Sequence, residues 1–334
     1  MPAWPWSPLV SLAPRPDYGG GKIILGWTTL DDTDAAKKRG YLIPAPSHLH
    51  TAILDARNGQ KIKVHEWAVS TLEASISPVA NGEFLLYTGD AVRLLSQDFD
   101  LIREQALPSY TPGPVIEDVS PSGNYFSIDG ETNKQWHHTV MRTETFAPVA
   151  TWTDEAHGVR FSDVALVGNC LPKRELCSRT FDTSWMPFAV SGGPRTQALC
   201  FLDDSRLVLT THGGLAVVTT DGSPLFQVTL EGKQSIRGGV CSSGGQRVAV
   251  VRTTLRGVTN ERLDMYAFPS DDEVVVFGAV EQRAIYRRKA KGTSPWWPFT
   301  AHQNRLAISP DGKLLAILDD GALSVYELPL PRSR

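Results

Sequence analysis

Leu306-Ala-Ile-Ser-Pro-Asp-Gly-Lys-Leu-Leu-Ala-Ile-Leu318 is the stretch whose reading decides the fold. Two apolar runs of strand length flank Ser309-Pro-Asp-Gly312, a set of residues that favours a tight turn. The same arrangement returns upstream. It stands at Ala74-Ser-Ile-Ser-Pro-Val-Ala-Asn-Gly-Glu-Phe-Leu-Leu-Tyr87 and at Asp118-Val-Ser-Pro-Ser-Gly-Asn-Tyr-Phe-Ser-Ile128. Variants occupy Ala198–Leu209 and Gly239–Val251, and a degraded copy runs from Val159 to Val167. Anchored on Ser77, Ser120, Ser162, Leu202, Ser242 and Ser309, the copies are spaced 43, 42, 40, 40 and 67 residues apart. The first four intervals match a four-stranded repeat of about 40–45 residues. The last is longer and places an insertion in the sixth unit.

A second pattern follows each copy: an alternating strand, a turn and another strand. It reads His50–Ile62 around Asn58-Gly59, Val92–Ile102, and Leu215–Phe226 around Asp221-Gly222. Asn-Gly and Asp-Gly between β-type runs signal hairpins. Each unit therefore holds four strands, a to d, with tight a–b and c–d turns. Helical periodicity is confined to two short stretches, Asp31–Arg39 and Thr259–Met265. Six anchored units and an earlier one at 20–67 make seven. A single four-stranded sheet of this kind buries both faces only by stacking on neighbours.

On the Ser-Pro-x-Gly turns at 77–82, 120–123 and 309–312, the chain resembles the β-propeller superfamily, within its WD40/YVTN-like group. No Gly-His opens a unit and no Trp-Asp closes strand c, so the resemblance is to a divergent, bacterial-type propeller. It implies an all-β, seven-bladed propeller of four-stranded antiparallel blades over residues 20–329. The Pro-rich segment 1–19 precedes it and residues 330–334 form a tail. Strand c of the last blade falls at Ala322–Leu328, and Pro8–Pro14 is read as its outer strand.

Composition narrows the function classes. The 334 residues are 41% hydrophobic and 21% charged, enough apolar material for a full core. Lys and Arg number 33 against 36 Asp and Glu, so no global basic field recruits nucleic acid. No apolar run approaches membrane-spanning length. The start, Met1-Pro-Ala-Trp-Pro-Trp6, has neither the charge nor the apolar stretch of a secretory leader. That reads as cytoplasmic, or as periplasmic or extracellular if a leader has been trimmed. Cys170 and Cys177 bracket a short segment and suit a disulfide, which would imply an oxidising compartment. Cys200 and Cys241, in apolar runs, read as small core residues.

In a propeller the d–a and b–c connections emerge on one face. The longest pieces fall there: Gly130–His138, Asn169–Cys177, Arg252–Asp272, Phe181–Arg195 and Lys291–Gln303. Scaffolds hold recognition residues on such loops. The binding candidates are Trp136, His137, Arg160, Trp185, Trp296, Trp297, His302 and Arg305, which mix aromatic rings with Arg and His as interaction surfaces do. His157, His212 and His302 could meet as a metal site, and Asp90, Asp118 and Asp163 could line a channel, but the expectation is no metal and no cofactor. Neither a Gly-x-Ser-x-Gly elbow nor a P-loop is present. The basic run Arg283, Arg287, Arg288, Lys289 and Lys291 reads as a solvated outer strand that discourages sheet pairing. The expected function is a monomeric, non-catalytic scaffold for a protein, peptide or glycan. The alternative implied by the resemblance is an enzyme with a central-channel site, of lactonase, lyase or quinoprotein-like type.

Overall fold

The computed structural model describes residues 9–13, 22–30, 47–70, 74–107, 115–132, 134–173, 175–190, 196–211, 214–230, 234–242, 244–255, 269–289, 306–319 and 322–329. It is a seven-bladed β-propeller of antiparallel blades. Blade one comprises β1 (Leu9–Ala13), β2 (Lys22–Leu30), β3 (Ser47–Asp55) and β4 (Lys61–Val69). Blade two comprises β5 (Ser75–Pro78), β6 (Phe84–Tyr87), β7 (Ala91–Leu95) and β8 (Leu101–Ala106). Blade three comprises β9 (Val115–Val119), β10 (Tyr125–Thr132), β11 (Gln135–Arg142) and β12 (Pro148–Thr153). Blade four comprises β13 (Ala156–Phe161), β14 (Leu166–Cys170), β15 (Glu175–Arg179) and β16 (Met186–Pro187). Blade five comprises β17 (Gln197–Asp203), β18 (Arg206–Thr211), β19 (Gly214–Thr219) and β20 (Pro224–Thr229). Blade six comprises β21 (Gln234–Cys241), β22 (Arg247–Leu255), β23 (Pro269–Gly278) and β24 (Arg283–Lys289). Blade seven holds β25 (Leu306–Ile308), β26 (Leu314–Asp319) and β27 (Ala322–Glu327), three strands among the described residues. The chain divides into two compact units, Met1–Glu155 with blades one to three and Ala156–Arg334 with blades four to seven.

Middle strands are apolar on both faces because both faces are covered. Phe84, Leu85, Leu86 and Tyr87 of β6 are all buried, as are Val274, Val275 and Val276 of β23. Their side chains alternate between two seams. Leu86 joins Ile24, Leu49 and Ile76 between blades one and two, whereas Leu85 joins Phe126 and Ile128 between blades two and three. In the second unit Val275 packs with Leu202 and Val248, and Val276 with Leu315 and Ile317. Outer strands such as β8 and β24 are largely exposed and interrupt their apolar residues with charged ones, a pattern that discourages edge pairing.

The Ser-x-x-Gly signature has a clear physical basis. Ser120, Ser162, Ser242 and Ser309 are buried at the end of a first strand. Each hydroxyl oxygen accepts an amide from the start of the next strand: Tyr125 at 3.2 Å, Ala165 at 3.3 Å, Arg247 at 3.0 Å and Leu314 at 2.8 Å. Gly123, Gly245 and Gly312 sit in the left-handed region, at φ 78°, 72° and 68°. In blade two the anchor is displaced: Ser77 lies within β5, and Val79 makes the corresponding turn bond to Glu83. In blade five Asp203 substitutes, its carboxylate accepting the Ser205 amide at 2.9 Å.

A Cβ on Gly123 would lie 2.2 Å from the Ala80 nitrogen. Gly123→Ala therefore combines left-handed strain with a backbone collision, and should destabilise by about 2–4 kcal/mol in urea unfolding. Gly59→Ala is the control: its φ is +70° but nothing lies within 4 Å, so only the strain of about 1–2 kcal/mol remains. Equal effects at the two positions would refute the packing argument.

Three expectations are corrected. Leu9–Ala13 pairs with β2, from Leu9 opposite Gly26 to Ala13 opposite Lys22, and not with the last blade. A local hairpin closes a far shorter loop than a pairing between the chain's two ends. Residues 130–138 are not a long loop. They belong to β10 and β11, paired as far as Thr132 opposite Gln135, with Lys134 at φ 65° in the turn. Cys200 and Cys241 are not separate core residues but disulfide-bonded across the first strands of blades five and six, with Cα atoms 6.0 Å apart. Asp31–Arg39 and Thr259–Met265 lie outside the described residues.

Candidate functional site

The two-residue turn after Thr132 sets Asp129 opposite His138, and β12 sets Trp152 opposite His138. The three side chains form a row across blade three. Asp129 Oδ2 and His138 Nδ1 are 2.7 Å apart, with the side chains only 8% and 6% exposed. The imidazole lies flat on Trp152, centroids 5.1 Å apart and planes 9° apart. Trp136, two residues earlier on the same strand face, continues the stack at 6.5 Å. Asp154 Oδ1 accepts the Trp136 amide at 3.4 Å. Alternation along β11 sends His137 to the opposite face. There it lines a depression of about 450 Å³ with Thr132, Thr139, Thr151, Thr153 and Glu155; His138 and Trp152 also border it. Hydroxyls and an imidazole on strands, with the Glu155 carboxylate in the connection that follows β12, can hydrogen-bond a polar ligand from several directions.

Blade one carries a second cluster. Register aligns Trp27, His50 and Glu66 across β2, β3 and β4. Trp27 stacks on His50 at 5.3 Å and 16°. His50 Nδ1 is 3.0 Å from Glu66 Oε2, and its Nε2 is 2.8 Å from the Thr29 hydroxyl. A neutral imidazole protonated on Nδ1 satisfies both contacts, donating to Glu66 and accepting from Thr29. His48 Nε2 approaches the other Glu66 oxygen at 3.7 Å. Thr29 and His48 sit at strand ends that lead into the b–c connection, as Thr132 and His137 do in blade three.

The other expected residues are dispersed or otherwise engaged. Arg160 on β13 donates from Nε to the Leu199 carbonyl at 3.1 Å, bracing blade four on blade five. Trp185 lies under the Arg179 guanidinium at 5.7 Å, just before β16. Cys170 and Cys177 are bonded across the β14–β15 hairpin, with Cα atoms 5.8 Å apart. Trp296, Trp297, His302 and Arg305 lie outside the described residues, as do His212, Lys291 and the stretches 256–268 and 291–303. His157 is exposed on β13, and Asp90 Oδ1 accepts the Thr88 hydroxyl at 2.8 Å inside a turn. Among the described residues no three His, Cys, Asp or Glu side chains converge as metal ligands. No described helix is long and apolar enough to cross a membrane.

No protein-family model matches the chain, and no curated protein matches it. Solved structures do resemble it. A functionally unknown protein from Desulfotomaculum acetoxidans is 10% identical, aligning 83% of this chain and 89% of that one with a TM-score of 0.55. A chain in the mitotic checkpoint complex is 12% identical over 97% of this chain and 91% of that one, TM-score 0.51. Hsv2 of Kluyveromyces lactis, with its loop 6CD complete, is 12% identical over 81% and 86%, TM-score 0.50. At such identities the likeness is one of fold, and it makes the chain a divergent seven-bladed β-propeller.

Proposed function

We propose that the chain is a non-catalytic binding propeller that recognises a protein, peptide or glycan at its d–a/b–c end. The observation that carries this reading is the Thr- and His-lined depression of blade three, with the Trp27–His50–Glu66 row at the corresponding end of blade one. Aromatic planes beside directional hydrogen-bonding groups suit sugars and peptides alike. A comparable fold occurs inside a multi-protein assembly, the mitotic checkpoint complex. The four cysteines, all bonded, suit an oxidising compartment. The enzymatic alternative draws less support, since the Asp129–His138 pair is enclosed and stacked as a brace.

Screening the full chain against glycan and peptide arrays, then titrating the best ligand by calorimetry, tests the proposal. His137→Ala with Thr153→Ala should weaken binding at least tenfold, about 1.4 kcal/mol, with unfolding unchanged to within about 1 kcal/mol. Undiminished binding by that variant and by His50→Ala would place the ligand elsewhere and refute it.

A further inference from the structure

Blade seven lacks an outer strand among the described residues, and the first strand pairs instead in blade one. The consequence shows in β27. In blades two and five, beside full-length fourth strands, the third strands β7 and β19 have their central residues mostly buried, whereas β15, beside the two-residue β16, is mostly half-buried. The central four residues of β27, Leu323 to Tyr326, are all only half-buried. One edge of β27 is paired with β26, from Ala322 opposite Asp319 to Glu327 opposite Leu314, and the other edge carries no strand among the described residues. Past the strand the Leu328 amide still donates to the Lys313 carbonyl, just ahead of β26, at 2.7 Å, and Arg247 Nη2 holds the Pro329 carbonyl at 3.0 Å.

The neighbouring outer strand, β24, overhangs this opening with positive charge. Arg283, Arg287, Arg288 and Lys289 are all exposed. Arg288 projects on the face turned to blade seven, its guanidinium 4.5 Å from the Tyr326 ring centre, and Tyr286 meets the same ring at 5.8 Å. Among the described residues Arg287, Arg288 and Lys289 have no carboxylate at ion-pair distance; Glu273, opposite Lys289, is taken by Arg252, and Glu281 by Arg247. An unpaired strand edge supplies affinity through main-chain bonds, and its surroundings select the side chains.

We propose that the outer edge of β27 is a docking site for an extended acidic segment of a partner protein, which adds as the fourth strand of blade seven with its carboxylates toward Arg288 and Arg283. The occupant's alternate residues cover Leu323 and Val325 on one side and meet Tyr326 and the guanidinium groups on the other.

The test uses the full chain and a fluorescein-labelled Glu-Val-Glu-Val-Glu-Val peptide, with Lys-Val-Lys-Val-Lys-Val as its counterpart. Expected are saturable binding of the acidic peptide alone and, in the complex, exchange slowed at least tenfold at Leu323, Val325 and Glu327, whose amides face away from β26. Arg288→Glu and the milder Arg288→Gln should each weaken binding, the reversal tenfold or more, with the circular dichroism spectrum retained. Slow exchange at Leu323, Val325 and Glu327 in the peptide-free monomer would mean that a segment of the same chain covers the edge. Slow exchange in a dimer, judged by light scattering, would mean a second copy does. Either result, equal binding of the basic peptide, or no binding by about 1 mM overturns the proposal.

Discussion

The double variant Cys200→Ala/Cys241→Ala should lose about 4 kcal/mol of unfolding free energy under oxidising conditions. The bridge spans a sequence separation of 41 residues and fastens the first strands of two adjacent blades. Cross-linking removes conformational freedom from the unfolded chain, more so for longer loops. The Cys170–Cys177 bridge closes a separation of only 7 residues, within one hairpin, so its removal should cost less, about 2–3 kcal/mol. Urea titration of the two double variants beside the parent chain gives the ordering directly. Parent chain in excess reductant should approach the stability of the protein with neither bridge. Four reactive thiols in unreduced, denatured protein would defeat the argument outright.

Arg247 should be the most sensitive single position outside the cysteines. Its side chain is fully buried, with Nη1 2.6 Å from Glu281 Oε2 and Nη2 on the Pro329 carbonyl. Gly312 leaves the space its stem occupies, since a Cβ there would lie 2.6 Å from Arg247 Cγ. Arg247→Met keeps the volume but strands the carboxylate, and should cost about 3–5 kcal/mol. Adding Glu281→Gln should recover some of that loss, because the neutral amide is less costly to leave unpaired. Burial alone would push the Glu281 carboxyl up, yet the hydrogen bond and charge of Arg247 hold it below the usual 4.5. A carboxyl lowered in the folded state stabilises above its unfolded value and loses that contribution as pH falls through the folded one. The parent chain should therefore lose stability below about pH 4.5, and Arg247→Met should lose less over the same interval. A parallel fall in both would show that Arg247 is not the cause.

What could be read from residue order was what local chemistry dictates. Four buried serines and three left-handed glycines make the same turn in different blades, so the turns recur as a visible motif and set the blade count. Where another residue does the turn's work, as Asp203 does in blade five, the pattern blurs. Contacts that depend on register or stacking were harder to see. Asp129 and His138 stand four residues either side of a two-residue turn, and that symmetry was the available signal; reading residues 130–138 as a loop concealed it. His48 and His50 share a face by simple alternation, but their union with Glu66 and Trp27 needs the lateral pairing of three strands. Cys200 and Cys241 lie one repeat apart, so they occupy like positions on neighbouring first strands, a relation that exists only once blades are stacked. The first strand illustrates a competition between two pairings in which proximity along the chain prevailed.

The a–b turns do more than reverse the chain. Gly123 presses on Ala80, the Asp163 amide donates to Asp204 Oδ1 at 2.9 Å, Gly245 abuts Arg206, and the Gly244 amide donates to the Pro310 carbonyl at 2.9 Å. Within each unit, successive blades are thus stitched together at one end, like pages at a spine. The opposite margin, where the Thr132–Gln135 hairpin and the Thr29 and His48 strand ends lie, is bound as well: the Ser70 hydroxyl donates to the Thr88 carbonyl at 3.1 Å between blades one and two, and Asn169 Nδ2 to the Thr196 carbonyl at 3.0 Å between blades four and five. Blades fastened at both ends hold the margin where recognition is proposed as a preformed surface, so a ligand there meets groups already in place and little ordering entropy is lost on binding.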